Sequence, residues 1–488
     1  MQGIIIAGTK SGIGKTTITI GLMKVLKNVS PFKAGPDYID GKFHEYVTKN
    51  KSYNLDYFLM GEKGIKYSFL KNRKNFSIIE GVMGLYDGLG DELDNGSTAH
   101  ISRILNIPII LVVDANKRST SICAEILGYK LFDERVEIKG IILNNISSEK
   151  SYEILSKAIE KYVEIPCVGY LPKIDEISLE SRHLGLIQAE EIKELDKKIE
   201  ILAEKIKKTI DINKILEISN IDTPTSKNSI SDKLLKNDIL LNEELLKIER
   251  KILNLSEVVK YKGLKIGVAK DNAFSFYYND NLEFLERLGI EIKYFSPIND
   301  EKIPEDVDGL YFGGGYPEIY GKELEKNKLM IESIKSFYND GGVIYGECGG
   351  YIYLSQKLKT LNNETFKFVG LTNNKFQMKD RLNVGKFGYI NVDCSLEKEK
   401  TLSFPAHEFH YSEIIEKSGE NIFKISKKDG RSWECGYSEK NLFCGYPHLH
   451  FFSSQDFVYN LLNKAKEYHD KKNRFNFMNF FNFRKGKR

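Results

Sequence analysis

At 488 residues, 41% hydrophobic and 29% charged, the chain is too long for one ordinary core and has the makeup of a soluble globular protein of two to three domains. Its net charge of +4 is a small difference between 72 basic and 68 acidic residues, so charge makes no case for nucleic acid as a partner. Six cysteines (Cys123, Cys167, Cys348, Cys394, Cys435 and Cys444) without C-x-x-C spacing argue against a zinc ribbon or disulfide framework and fit a reducing, cytoplasmic setting. The start, MQGIIIAGTK, lacks a signal-peptide pattern, and no run approaches the ~18 apolar residues of a membrane span.

In chain order, GIIIAG (3–8), FSIIEGV (76–82), IPIILVVDA (107–115), KGIILNNI (139–146) and IPCVGYLP (165–172) read as buried strands. They alternate with helical-period segments such as TTITIGLMKVLK, which predicts a parallel sheet covered on both faces. Between the first strand and first helix, AGTKSGIGKTT stands in the context of a phosphate-binding loop. Gly12 and Gly14 let backbone N–H groups curl around an anion, Lys15 brings charge to the terminal phosphates, and Thr16 offers a hydroxyl to Mg²⁺. Thr17 follows in the same turn, and Lys10 stands where the deviant P-loop ATPases carry an additional lysine. Glu80 ends an apolar strand as a Walker-B-like carboxylate would, holding Mg²⁺ directly or through water. PFKAGPDYIDGKFHE (31–45) gathers Lys33, Asp37, Tyr38, Asp40 and His44 in one Gly/Pro-containing turn, which reads either as an ordinary β–α loop or as part of the site.

From about 190 the texture changes to EEIKELDKKIEILAEKIKKTI, a Lys/Glu-rich amphipathic helix, followed by the polar SNIDTPTSKNSISDK (219–233) and another charged helix to about 257; this reads as a connector with solvated helices. A second α/β pattern starts at GLKIGVAKD (263–271) and passes through DGLYFGGGYPE (308–318), GGVIYGECGG and a β-rich segment. G-x-C-x-G (Gly346, Cys348, Gly350) has the form of the G-x-S-x-G nucleophile elbow, although an inert buried cysteine would also suit these residues. HEFHYS places His407, Glu408 and His410 together, but the spacing is not H-E-x-x-H, and a wall or structural segment is the favoured reading over a metal site. GYPHLHFF supplies His448 and His450. The tail KKNRFNFMNFFNFRKGKR is basic and aromatic; a frayed terminus is favoured over contact with RNA or a membrane.

The ordered set GTKSGIGKTT, FKAGPDYID, EGVMGLYDG, SRHLGL, GGGYPE, GECGGYIYL, HEFHYS and GYPHLHF resembles the cobyrinic acid a,c-diamide synthase family, with Gly41 standing where proline is expected. The resemblance implies an α/β protein of two doubly wound parallel-sheet domains. These are an ATP-dependent synthetase domain like dethiobiotin synthetase (1–190) and a class I glutaminase domain (263–455), joined by a charged helical linker (191–262) and followed by a C-terminal helix and tail (456–488). It implies amidation of the a and c acetate carboxylates of cobyrinate through an acyl phosphate, with ammonia taken from glutamine, and ATP and Mg²⁺ as cofactors.

On that resemblance the nucleotide is held by Lys10, Gly12, Gly14, Lys15, Thr16, Thr17 and, in the adenine-side loop, Asn144, with Asn145 beside it. Lys33, Asp37, Tyr38, Asp40 and His44 face the substrate, and Thr16, Glu80 and Asp37 the metal. Cys348 is the nucleophile and His448 the base. His450 either orients the base or packs nearby, since the H-x-E of class I glutamine amidotransferases is H-L-H here, as in the corrin amidases. Gly314 or Gly315, with Gly349, supplies the oxyanion donors. Partners are small molecules (the tetrapyrrole, glutamine and ATP), with no nucleic acid, no membrane, and a homodimer left open. The alternatives are the same chemistry on hydrogenobyrinate or nickel-sirohydrochlorin, and a P-loop switch ATPase with an inactive glutaminase-like domain.

Overall fold

Short β-branched runs bounded by glycine and proline build the first sheet. Its strands are β1 (Gly3–Gly8), β2 (Val29–Ala34), β3 (Tyr53–Leu55), β4 (Phe76–Glu80), β5 (Ile109–Asp114), β6 (Ile138–Ile146) and β7 (Cys167–Pro172). The computed structural model describes residues 2–74, 76–174, 181–182, 185–186, 194–219, 245–249, 252, 255–382, 385–397 and 400–485. It divides into two units, Met1–Glu249 and Arg250–Arg488.

The first sheet runs β3-β2-β4-β1-β5-β6-β7 with every pairing parallel. Parallel neighbours require crossovers, and α1 (Lys15–Leu26), α2 (Ile39–Thr48), α3 (Tyr57–Asn72), α4 (Thr98–Leu105), α5 (Ile122–Phe132) and α6 (Glu149–Tyr162) supply them. Asp56, Ser97 and Ser148 start α3, α4 and α6 by accepting backbone N–H groups. Of SRHLGL, only the short paired strands β8 (Ser181–Arg182) and β9 (Gly185–Leu186) are described; His183 and Leu184 lie outside the described residues.

In the first unit two expectations change. The 31–45 segment is not one turn: Lys33 lies within β2, and Asp40 and His44 lie on α2. Pro31 and Lys33 disguise a strand that is buried along its whole length. The charged run after 190 is not a solvated connector either. Helix α7 (Leu195–Thr209) buries Leu195, Ile199, Leu202, Ala203 and Ile206, a spacing that makes one apolar stripe. It packs on α1 so closely that a Cβ on Gly21 would stand 2.3 Å from Ile206 Cδ1. Helix α8 (Ile212–Ser219) follows, while 220–244, most of the polar stretch, lies outside the described residues.

The second unit opens with α9 (Leu255–Tyr261), β10 (Lys265–Ala269), α10 (Asn279–Arg287), β11 (Glu291–Phe295), β12 (Gly309–Phe312), α11 (Gly321–Lys326), α12 (Lys328–Asn339), β13 (Val343–Glu347) and α13 (Gly349–Leu354). The β-rich part adds β14 (Lys357–Lys359), β15 (Thr365–Lys367), β16 (Lys375–Met378), β17 (Gly388–Glu397), β18 (Lys400–Glu408), β19 (Ser412–Glu416), β20 (Phe423–Ser426), β21 (Ser432–Cys435), β22 (Tyr437–Glu439), β23 (Leu442–Gly445) and β24 (His448–Leu449). Its main sheet runs β11-β10-β12-β13-β23-β22, parallel except for the edge strand β22. Two further sheets, β15-β14-β16-β19 and β21-β20-β17-β18-β24, are largely antiparallel, so this unit is more than a doubly wound sheet. The tail is helical rather than frayed: α14 (Gln455–Lys485) runs to the residue before Gly486, with no glycine or proline to stop it sooner. Among the described residues no helix is long and apolar enough to cross a membrane.

Helix α13 sits tight on β12. A Cβ on Gly350 would stand 2.3 Å from the Phe312 carbonyl oxygen, a backbone atom with no rotamer to yield. Gly350→Ala is therefore expected to destabilise the second unit by about 1–3 kcal/mol, seen as a lowered unfolding midpoint. Gly128→Ala in α5, where the added methyl meets open space, should leave stability unchanged or raise it.

Candidate active site

In the first unit the chain leaves β1 at Gly8 and re-enters helix at Lys15. The turn is left-handed at Gly12 (φ 71°) and Gly14 (φ 92°), which suits glycine. Lys15 Nζ lies back along this loop, donating to the carbonyls of Met83 (2.6 Å) and Lys10 (3.2 Å). Burial, and then the nearby Lys33 charge, lower its pKa to about 8. Lys10 is exposed, 4.0 Å from Asp114 Oδ2, and Thr17 is half-buried in the first turn of α1. Asn144 is brought beneath the loop: its Nδ2 donates to Ile13 O at 2.7 Å, and a Cβ on Gly14 would stand 2.3 Å from it. There it buttresses the phosphate turn. Asn145 instead donates to Asp114 Oδ1 at 3.1 Å. Tyr129, not singled out from the sequence, holds the loop's other end by donating to Thr9 O at 2.6 Å.

Glu80, fully buried at the end of β4, gathers the rest. Thr16 Oγ1 donates to its Oε1 at 2.6 Å, Lys33 Nζ reaches the same oxygen at 3.1 Å, and His44 Nε2 meets Oε2 at 2.6 Å. Burial alone would raise the Glu80 pKa, but Lys33, His44 and Thr16 outweigh it and hold the carboxyl below the usual carboxylate range. Lys33 also pairs with Asp40 Oδ2 at 2.5 Å; burial opposes its charge, yet Asp40 and Glu80 hold its pKa above the ordinary lysine value. His44 Nδ1 faces Ser52 Oγ at 3.3 Å. Asp37 is exposed, its Oδ1 accepting from the N–H groups of Ile39 (2.7 Å) and Asp40 (3.1 Å), so it starts α2; Tyr38 follows it at the helix entrance. Of the expected metal residues, Thr16 and Glu80 meet, while Asp37 stands in the turn ahead of α2.

In the second unit Cys348 joins β13 to α13 in a backbone conformation (φ 48°, ψ −102°) that residues other than glycine seldom adopt. This is the geometry of a nucleophile elbow. The Cys348 N–H is held by Gly445 O at 2.7 Å, and its Sγ lies 3.9 Å from Phe409 O. His448 is buried in hydrogen-bond contact with Cys348. Burial works against its charge, but the Cys348 sulfur and the Glu347 carboxylate override this and lift its pKa to about 10. A Cβ on Gly314 would stand 2.5 Å from His448 Cε1. A Cβ on Gly349 would stand 3.0 Å from Gly315 N, so the glycine loop passes close against the start of α13. Gly349 begins α13, where no helix carbonyl is available to its N–H. The cluster brings together a thiol, a buried imidazole and a glycine loop, the kinds of group that thiol-based acyl transfer needs.

His450 does not join it. Its ring packs against Tyr278 and Phe452, its Nε2 has no hydrogen-bond partner among the described residues, and burial pushes its pKa down to about 3. The HEFH segment is a wall: His410 spends Nε2 on Glu408 Oε1 (2.7 Å) and Nδ1 on Ser412 O (2.7 Å), and it stacks on Tyr446. Sequence reasoning missed Glu347, whose Oε2 lies 3.8 Å from His448 Nδ1; strand alternation in VIYGE, which puts Tyr345 and Glu347 on one face, carried the signal.

A phosphate-loop unit joined to a thiol glutaminase unit defines the class, a glutamine-dependent amide ligase, and the comparisons with known proteins agree. Residues 4–187 match the family described as the CobQ/CobB/MinD/ParA nucleotide binding domain, and 265–456 the CobB/CobQ-like glutamine amidotransferase domain. Similar proteins called cobyrinate a,c-diamide synthase come from Fusobacterium nucleatum (48% identical, covering 94% of this chain and 99% of the relative), Clostridium acetobutylicum (43%, 95% and 100%) and Caldanaerobacter subterraneus (40%, 95% and 98%). The chain belongs to the cobyrinate a,c-diamide synthase family, and its work is glutamine-dependent amidation in cobalamin biosynthesis. The switch-ATPase alternative gives way to this likeness, which spans both units.

The lowered pKa of Lys15 has a measurable consequence. At pH 8 the free protein holds this amine partly neutral; a bound polyphosphate favours the ammonium form, so binding must take up protons. Titration calorimetry of ATP in buffers of different ionisation enthalpy should show net uptake at pH 8–8.5 that fades toward pH 6.5 and is absent in Lys15→Arg. Buffer-independent heats at pH 8.5 would contradict the assignment.

Proposed function

We propose that the chain converts the a and c acetate carboxylates of cobyrinate to amides, using ATP to make each carboxylate an acyl phosphate and glutamine as the ammonia source. The observation that carries the substrate assignment is the near full-length likeness to relatives bearing that name. The chemistry is coherent with it: a carboxylate has only oxide to lose, whereas an acyl phosphate loses phosphate readily to ammonia.

In this reading Gly12, Gly14, Lys15, Thr16 and Thr17 cradle the triphosphate and Lys10 approaches from the exposed side. There catalysis is positioning and charge stabilisation. Thr16 and Glu80 fit Mg²⁺, since a hydroxyl and a buried ionised carboxylate meet beside the loop; the ion would offset phosphate charge. Lys33, Asp40 and His44, drawn around Glu80, with Tyr38 and Asp37 at the mouth of α2, form the side that receives the tetrapyrrole. In the second unit the Cys348 sulfur attacks the glutamine amide carbon as a thiolate, its proton already held on His448. The oxygen's developing charge falls to the amide of Gly349 and that of Gly314 or Gly315. His448 then returns the proton to the departing nitrogen as the C–N bond breaks, and water clears the thioester.

Product mass settles the substrate. Cobyrinate, hydrogenobyrinate and nickel-sirohydrochlorin, each with ATP, Mg²⁺ and glutamine, should give a doubly amidated product from cobyrinate in preference to the other two. Preference for either of the others would transfer the same chemistry to that tetrapyrrole. Cys348→Ser should lose glutamine-supported amidation and keep ammonia-supported amidation; normal glutamine use by this variant would remove Cys348 as the nucleophile.

A further inference from the structure

We propose that Glu347, the residue immediately before the nucleophile, is the positioning acid of His448, standing in for the carboxylate that H-x-E would supply. The proposal rests on the reading of Cys348 and His448 as nucleophile and base.

Strand alternation along β13 sends Tyr345 and Glu347 to the same face, and the β12–β13 register sets Tyr311 opposite Tyr345. Both phenols turn to the carboxylate: Tyr345 OH donates to Oε1 at 2.8 Å and Tyr311 OH to Oε2 at 3.1 Å, with the Leu449 N–H 3.4 Å from Oε1. The side chain is 2% exposed. These three donors are neutral. They fix the carboxylate's position without cancelling its charge, and an uncompensated charge out of water is costly. Among the described residues its ion-pair contact is His448, whose Nδ1 lies 3.8 Å from Oε2. That is an electrostatic contact rather than a hydrogen bond, and such contacts tighten when the reacting complex forms. With the thiol proton held on His448, the imidazolium faces Glu347; the carboxylate stabilises that charge and takes no proton itself.

The competing orienter is His450, two residues past the base. Its ring lies among Tyr278 and Phe452, and its Nε2 has no hydrogen-bond partner among the described residues. His407, paired with His448 across β18 and β24, presents a neutral buried imidazole rather than a negative charge. Glu347 is the group of the correct sign.

The test uses the full-length protein. Glutamine hydrolysis and alkylation of Cys348 by iodoacetamide are followed from pH 6 to 11 in wild type, Glu347→Gln and His450→Gln, with thermal unfolding as the folding control. Removing the Glu347 charge should lower glutamine kcat by about 100-fold or more, with KM changed less than about 3-fold, the pattern of an interaction made only in the transition state. It should also move the high-pH limb of both profiles toward lower pH, because the imidazolium loses its anionic partner. His450→Gln should keep the wild-type limb. A wild-type kcat and limb in Glu347→Gln, or the shift appearing in His450→Gln instead, overturns the proposal. If Glu347→Gln does not fold, Tyr311→Phe with Tyr345→Phe loosens the same carboxylate, and an unmoved limb there overturns the proposal equally. Glutamine hydrolysis surviving in Cys348→Ala would instead overturn the parent reading and this one with it.

Discussion

Both units depend on one constraint. A parallel sheet buried on both faces can release its chain toward a site only at the strand ends, where the first turn of the next helix leaves N–H groups unpaired. In the first unit Gly8, Ala34, Glu80, Asp114 and Asn144 all lie at or near such ends, which is why a phosphate loop, a buried carboxylate and a lysine from three different strands converge. In the second, Phe312, Glu347 and Gly445 stand at the ends of neighbouring parallel strands and deliver the glycine loop, the nucleophile and the base.

The two units hold a buried carboxylate in different ways. Glu80 is matched by Lys33 and His44 and tied to Thr16, so its charge is compensated and its position fixed from β2, α2 and α1 at once. Glu347 is fixed by neutral phenols and left facing an imidazole. The first arrangement suits a scaffold that must stay anionic beside phosphates. The second suits a group whose partner gains and loses charge in each turnover.

What was legible in the sequence follows from how local the signal is. Gly12, Gly14 and Lys15 in the loop, and Cys348 between glycines, are set by backbone geometry within a few residues, and the structure places them in those turns. Strand β2 was hidden because Pro31 and Lys33 break the apolar run, while the partners that bury them, β3 and β4, are remote in sequence. Helix α7 carries an apolar stripe among its lysines, but the surface that covers it belongs to α1. Asn144 stands out in the sequence, but its contact with Ile13 depends on the β5–β6–β1 neighbourhood. His450 was drawn in by its spacing from His448; only packing shows its ring turned to Tyr278 and Phe452.

Replacing the acid of H-x-E with histidine need not cost the base its partner, because strand register supplies another. Glu347 pairs with Gly445 across β13 and β23, Gly445 O holds the Cys348 N–H, and His448 follows Gly445 by three residues. Cys348, His448 and Glu347 are thus placed by one parallel pairing. A slip of one residue in that pairing would send Tyr345 and Glu347 to the opposite face and take the phenols away from the carboxylate. An acid placed two residues beyond the base would depend instead on the loop after β24, where Phe451 and Phe452 already fill the space with aromatic packing. Moving the carboxylate to the strand end puts it on the most rigid element available, beside the residue whose strained backbone has to be held in place anyway.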